Sequence, residues 1–210
     1  MFKNRKDAGK KLGNLLKKYG NEKPVILALP RGGVIVAYEV AKILKAPLDV
    51  IVSRKIGAPS MPEYGIGAVS EGANFLDKKN ASDVGLKKDQ LDVLIKLQEE
   101  EVNRRVKLYR NGKKLPKLSG KTVIIVDDGL ATGVTAHAAI EAIKKLKAGK
   151  IIFAAPVCDR KTAESMRGKI EAVECISFPS LFSIGFYYLD FEQVSDQEVI
   201  EVLSKSRKRW

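Results

Sequence analysis

Thr122-Val123-Ile124-Ile125-Val126-Asp127-Asp128-Gly129-Leu130-Ala131-Thr132-Gly133-Val134-Thr135-Ala136 decides how this chain folds. Its β-branched residues from Val123 to Val126 form a short, wholly apolar run, the signature of a strand buried on both faces of a parallel sheet. Two carboxylates stand at the carboxyl end of that strand. A turn of Gly and Thr follows, and then a helical pattern from Ala136 to Lys147. Such an order builds an anion cradle. The turn amides and the positive end of the helix dipole converge on one spot, and the hydroxyls of Thr132 and Thr135 add donors. The paired carboxylates suit vicinal hydroxyls or a hydrated divalent cation. A ligand with both a phosphate and a diol, such as a sugar phosphate, satisfies all of these groups.

The same logic recurs at Leu29-Pro30-Arg31-Gly32-Gly33-Val34, a strand end, a tight glycine turn and a helix start. It makes a second anion site, with the Arg31 fork able to hold two phosphate oxygens. Around these two points the pattern alternates. Strands are expected over 24–29, 48–53, 150–157 and 173–178, and helices over 34–44, 136–147 and 161–167. Alternation of this kind means a parallel sheet. Residues 5–19 read as an amphipathic helix through Ala8, Leu12, Leu15 and Leu16. Residues 86–109 read as a long helix stopped by Asn111-Gly112. Arg54 to Gly67, rich in Pro and Gly, reads as an irregular loop, with one or two strands over 66–76. Phe178 to Phe191 is aromatic and irregular, and Ser195 caps a final helix through Leu203.

The opening stretch resembles the loop of type I phosphoribosyltransferases that binds 5-phosphoribosyl-1-pyrophosphate (PRPP). The resemblance covers roughly residues 24–192. It implies an α/β fold, a type I phosphoribosyltransferase-like parallel sheet flanked by helices, with a flexible loop and a small hood. One domain over 1–210 is expected, its core at about 24–178 and its hood at about 179–210 with help from 1–20. By that resemblance PRPP contacts Asp127, Asp128, Gly129, Ala131, Thr132, Gly133, Val134 and Thr135. Its pyrophosphate contacts Arg31, Gly32, Arg54 and Lys55, and the family's cis peptide falls at Pro30–Arg31. Pro62-Glu63-Tyr64-Gly65 is similar to the flexible loop of adenine phosphoribosyltransferases, which makes Glu63 a catalytic candidate beside Asp128. Residues 178–191 resemble the hood of the 6-oxopurine branch, with Phe182 and Asp190 matching its base-binding positions. The cofactor implied is Mg2+, held by Asp127, Asp128 and Asp190. Two departures bear on the acceptor base. Ala131 stands where the 6-oxopurine branch has a proton-shuttling Asp. Val157-Cys158-Asp159 lacks the Lys that reads a 6-oxo group.

Composition narrows the classes further. The 210 residues suit one sizeable α/β domain. Apolar runs fall far short of the ~20 residues that span a bilayer, and the charged N-terminal stretch has no secretory character, so a cytoplasmic location away from membranes is expected. The net charge of +13 is spread along helices and clusters only in Lys205 to Trp210. Attraction of polyanionic small substrates is therefore expected before nucleic acid binding. Cys158 and Cys175, at strand ends and without a Cys-x-x-Cys, are expected as buried free thiols. The single His137 is expected to serve packing or to lie at the surface. The resulting function is transfer of ribose 5-phosphate from PRPP to a nucleobase-like acceptor with release of pyrophosphate, in a homodimer. The alternative is a non-catalytic PRPP- or nucleotide-sensing regulator that binds nucleic acid through its basic surface.

Overall fold

A computed structural model of the chain describes residues 1–181 and 183–207, apart from the side chain of Glu63. Among these residues, β1 (Val25–Ala28), β2 (Leu48–Val50), β6 (Thr122–Val126), β7 (Lys150–Val157) and β8 (Ala172–Ser177) form a five-stranded parallel sheet in the order β2-β1-β6-β7-β8. Every residue of β1 and β6 is buried. Their side chains divide by strand period between two cores. Ile26, Ala28, Ile124 and Val126 face α1 (Arg5–Leu15), α2 (Gly32–Leu44) and α7 (Asp196–Arg207). Leu27, Val123 and Ile125 face α5 (Val134–Lys145) and α6 (Arg160–Met166). Helices on both faces are what the doubly apolar strands demanded.

The irregular loop expected over Arg54–Gly67 is instead an antiparallel hairpin, β3 (Ser53–Ala58) and β4 (Met61–Ser70), extended by β5 (Ala73–Leu76) into a three-stranded sheet. Its glycines hid the alternation. Gly57 and Gly65 are cross-strand partners beside a register shift, and a Cβ on Gly57 would run into the backbone of Pro62. Ile56, Ile66 and Val69 of this sheet pack with Leu91, Leu94 and Val102 of α4 (Lys88–Arg110). On the other side Ala68 and Phe75 meet Val134 and Ala138 of α5. The long helix therefore covers the hairpin. It stops where expected, at Asn111 in the left-handed region with φ 52°, and its buried Arg110 pairs with Glu71.

A second correction concerns the cysteines, which are not free thiols. Cys158 and Cys175 form a disulfide with Cα atoms 6.1 Å apart. Cys158 follows β7 directly and Cys175 lies in the adjacent β8, a proximity that a separation of 17 residues does not reveal. The helix starts also moved. α2 begins at Gly32 and α5 at Val134, each two residues before its apolar pattern. At the far end, Phe2 bridges in parallel to Tyr188, so the N-terminal residues and the segment after β8 form one small layer.

Candidate functional site

β1 and β6 are neighbours, so their carboxyl ends bring two strand-to-helix turns side by side. After β1 the chain passes through a cis peptide at Pro30–Arg31, and Arg31 caps α2. After β6 come Asp127 and Asp128, and the turn ends at Gly133, which caps α5 with φ 74°. Neither cap is satisfied by a side chain, which leaves first-turn amides of α2 and α5 for an anion, although the Val34 amide already donates to the Arg31 carbonyl at 3.1 Å. The turns touch. A Cβ on Gly33 would sit 2.9 Å from Asp127 Oδ1, and one on Gly32 would collide with the Asp128 carboxylate and lie 2.8 Å from Arg5 Nε. Only glycine permits this approach.

The two acids differ in their surroundings. Asp127 Oδ1 accepts the Asp128 amide at 2.8 Å. Burial, followed by the neighbouring Asp128 charge, pushes the Asp127 carboxyl well above the usual carboxylate range. Asp128 Oδ2 accepts Arg5 Nε at 2.7 Å, and its carbonyl accepts the Tyr188 hydroxyl at 2.7 Å. Arg5 Nη1 donates to the Glu192 carbonyl at 2.7 Å, and the guanidinium stacks 3.8 Å from the centre of the Phe191 ring. Leu130 bridges to Cys158 at the end of β7, and Thr162 Oγ1 donates to the Ala131 carbonyl at 2.6 Å. Gly129 is buried, Thr132 is exposed and Thr135 is half-buried at the first turn of α5. Magnesium favours oxygen donors and often takes only one or two carboxylates, with water and substrate phosphates completing its shell. Two adjacent carboxylates, one carrying a penalty for its own charge and its neighbour's, fit such a cation.

The remaining expected site residues scatter more widely. Arg31 is half-exposed, with Nη1 3.8 Å from Asp196 Oδ1 of α7. Arg54 lies in β3, and its Nε donates to Gln98 of α4 at 3.3 Å. Burial, then the charge of Arg105, pushes the Arg54 guanidinium down from its ordinary value. Lys55 flanks Gly65 within the hairpin. Asp190 is exposed and turned to the Glu192 amide at 3.3 Å. Among the described residues no three acidic, His or Cys side chains gather as a metal cluster, so Asp190 does not join Asp127 and Asp128. Glu63 belongs to β4, but its side chain and the whole of Phe182 lie outside the described residues. His137 stacks on Phe75, ring centres 4.6 Å apart, which is the packing role of the two expected. Sequence reasoning missed Arg5 and Tyr188. No local pattern marks them, since their bonds to Asp128 span 123 and 60 positions.

Comparison with known proteins identifies the family of the chain. The phosphoribosyl transferase domain family matches residues 3–190. A Mycobacterium tuberculosis protein whose name provisionally makes it a phosphoribosyl transferase is 38% identical over 210 residues, covering 99% of this chain. The chain spans only 47% of that relative's length. A crystal structure of a Thermus thermophilus protein superposes with a TM-score of 0.81 at 35% identity, covering 97% of this chain and 98% of that one. The purine phosphoribosyltransferase of Pyrococcus horikoshii shares the fold, with a TM-score of 0.51 at 19% identity and 90% of each chain covered.

Proposed function

Because this chain belongs to the phosphoribosyl transferase family, we propose that it transfers the ribose 5-phosphate of PRPP to a nucleobase-like acceptor and releases pyrophosphate. One observation carries the reading: two uncapped helix starts and an acid pair meet at the ends of adjacent strands β1 and β6. The 5-phosphate would lie on the amides of residues 131–135, with Thr132 and Thr135 as hydroxyl donors. The ribose hydroxyls would face Asp127 and Asp128. The pyrophosphate would lie along Arg31 and Gly32, with Arg54 and Lys55 of the hairpin as further cations.

Breaking the bond from C1 to the pyrophosphate oxygen leaves a ribosyl centre with oxocarbenium character, which a nitrogen of the acceptor attacks. The chain's work is to hold both reactants in line, to place the Asp charges near the developing cation, and to exclude water. Asp127 and Asp128 would hold a magnesium ion, which when bound would help neutralise the departing pyrophosphate. Glu63, Phe182 and Asp190 remain candidates for the acceptor side. Ala131 cannot shuttle a proton, and Val157-Cys158-Asp159 at the end of β7 lacks a Lys to read an oxo group, so hypoxanthine and guanine should be poor acceptors.

The test is incubation of the protein with PRPP, Mg2+ and a panel of bases while pyrophosphate is measured. Calorimetry of PRPP with and without Mg2+ accompanies it. Binding of PRPP without turnover on any base would favour the sensing regulator, and absence of PRPP binding by folded protein would refute the transferase reading.

A further inference from the structure

Two carboxylates side by side in a partly buried site need a positive charge. In this chain the charge at hand is Arg5. Its Nε lies 2.7 Å from Asp128 Oδ2, with only 11% of its side chain exposed, and it sits directly against Gly32 of the neighbouring turn. The guanidinium thus stands at the junction of the two anion cradles, where a metal carried by PRPP would meet Asp128. Its other contacts come from a different part of the molecule, the Glu192 carbonyl and the Phe191 ring. On that outer side lies a cavity of about 270 Å3, lined by Arg5, Asn4, Lys6, Asp190, Glu192 and Glu198. Glu198 is already within electrostatic reach of Arg5. The side chain therefore has an anionic partner inside the site and both room and acidic partners outside it.

We propose that Arg5 is a built-in counter-ion of Asp128 that the incoming metal must displace, moving the guanidinium outward into the acidic cavity. This inference rests on the reading of Asp127 and Asp128 as the metal-holding pair. Before ligand arrives, Arg5 neutralises Asp128 and holds it across the Gly32 turn. Afterwards the metal takes that role, so bare metal binds weakly and metal accompanied by PRPP binds well. Arg5 acts through Asp128 and is a positioning residue.

The experiment measures Mn2+ affinity by electron paramagnetic resonance on the ligand-free protein, without PRPP. Arg5→Gln should bind Mn2+ about tenfold more tightly than wild type, the scale of one charge-assisted partner. Arg5→Lys, which keeps the charge, should stay within about threefold of wild type. A merely structural Arg5 would leave Mn2+ affinity unchanged or weaker in Arg5→Gln, and that result overturns the proposal. Should Arg5→Gln fail to fold, wild-type protein is labelled with phenylglyoxal and mapped by mass spectrometry. Modification of Arg5 should rise several-fold in saturating Mn2+, and an unchanged or lower yield overturns the proposal. Neither arm uses PRPP, so failure of PRPP to bind would refute the proposed function without touching this comparison.

Discussion

Asp127 gives one oxygen to a backbone amide, while Asp128 gives one to Arg5. Changing either to Asn keeps the shape and removes the charge. Hydrogen bonds to charged groups contribute ~1.5–3 kcal/mol each, and those to the ribose should strengthen as positive charge accrues at C1. Asp127→Asn and Asp128→Asn are each expected to reduce turnover by about 100-fold, read as steady-state pyrophosphate release. Normal turnover in both would mean that the turn has been misread. The melting temperature separates function from packing. Burial and the Asp128 charge oppose ionisation of Asp127, so Asp127→Asn should melt no lower than wild type. Both acids were legible in the sequence because they follow their strand directly. Arg5 was not, because a single Arg at the start of an amphipathic helix looks like any solvated charge.

The hairpin β3–β4 and helix α4 belong together as elements. A loose loop would expose Arg54 and Lys55 to trypsin, but here both lie in a paired strand and Arg54 reaches Gln98 of α4. The irregular segment after α4, with exposed Lys113, Lys114 and Lys117, is the better substrate. Trypsin should cut free protein there well before residues 54 and 55, as read by mass spectrometry of early fragments. Earlier cleavage at 54 and 55 would restore the view of that segment as a flexible loop. On α4 itself Glu101 binds Arg104 and Arg105, both at 2.7 Å. Arg104 first, and Arg105 after it, hold the Glu101 carboxyl down at about 2, against an ordinary value of 4.5. A depressed carboxyl contributes stability that is complete above its unfolded value and lost as pH falls through its folded one. The melting temperature of Glu101→Gln should therefore lie below wild type at pH 7, and the gap should close toward pH 2. A constant gap across that range would show that Glu101 acts through packing alone.

At the scale of the molecule, the Cys158–Cys175 disulfide ties β7 to β8 just behind Leu130 of the turn after β6. A link closing a loop of this length contributes on the order of 3 kcal/mol in the chain-entropy view. For a chain this long that corresponds to a fall of about 6–12 °C in melting temperature on reduction. Thiol titration of denatured, unreduced protein should find no free thiol. Two thiols and a melting temperature indifferent to reductant would show that the cysteines stay apart. The Phe2–Tyr188 bridge, with Tyr188 bonded to Asp128, likewise joins the N-terminal residues and the segment after β8 to the site. By itself the order of residues determined the parallel sheet, the two strand-to-helix turns after β1 and β6 and the long helix with its stop at Asn111. Strand period, turn chemistry and helix caps are properties of residues within a few positions of one another. Only the tertiary structure decided the Arg5–Asp128 pair, the disulfide, and the docking of the N-terminal residues on the aromatic segment. Those contacts join side chains far apart in the chain, and packing of whole surfaces selects them. The hairpin lies between the two cases. Its strands are local, but glycines at the close approaches removed the side chains by which alternation is read.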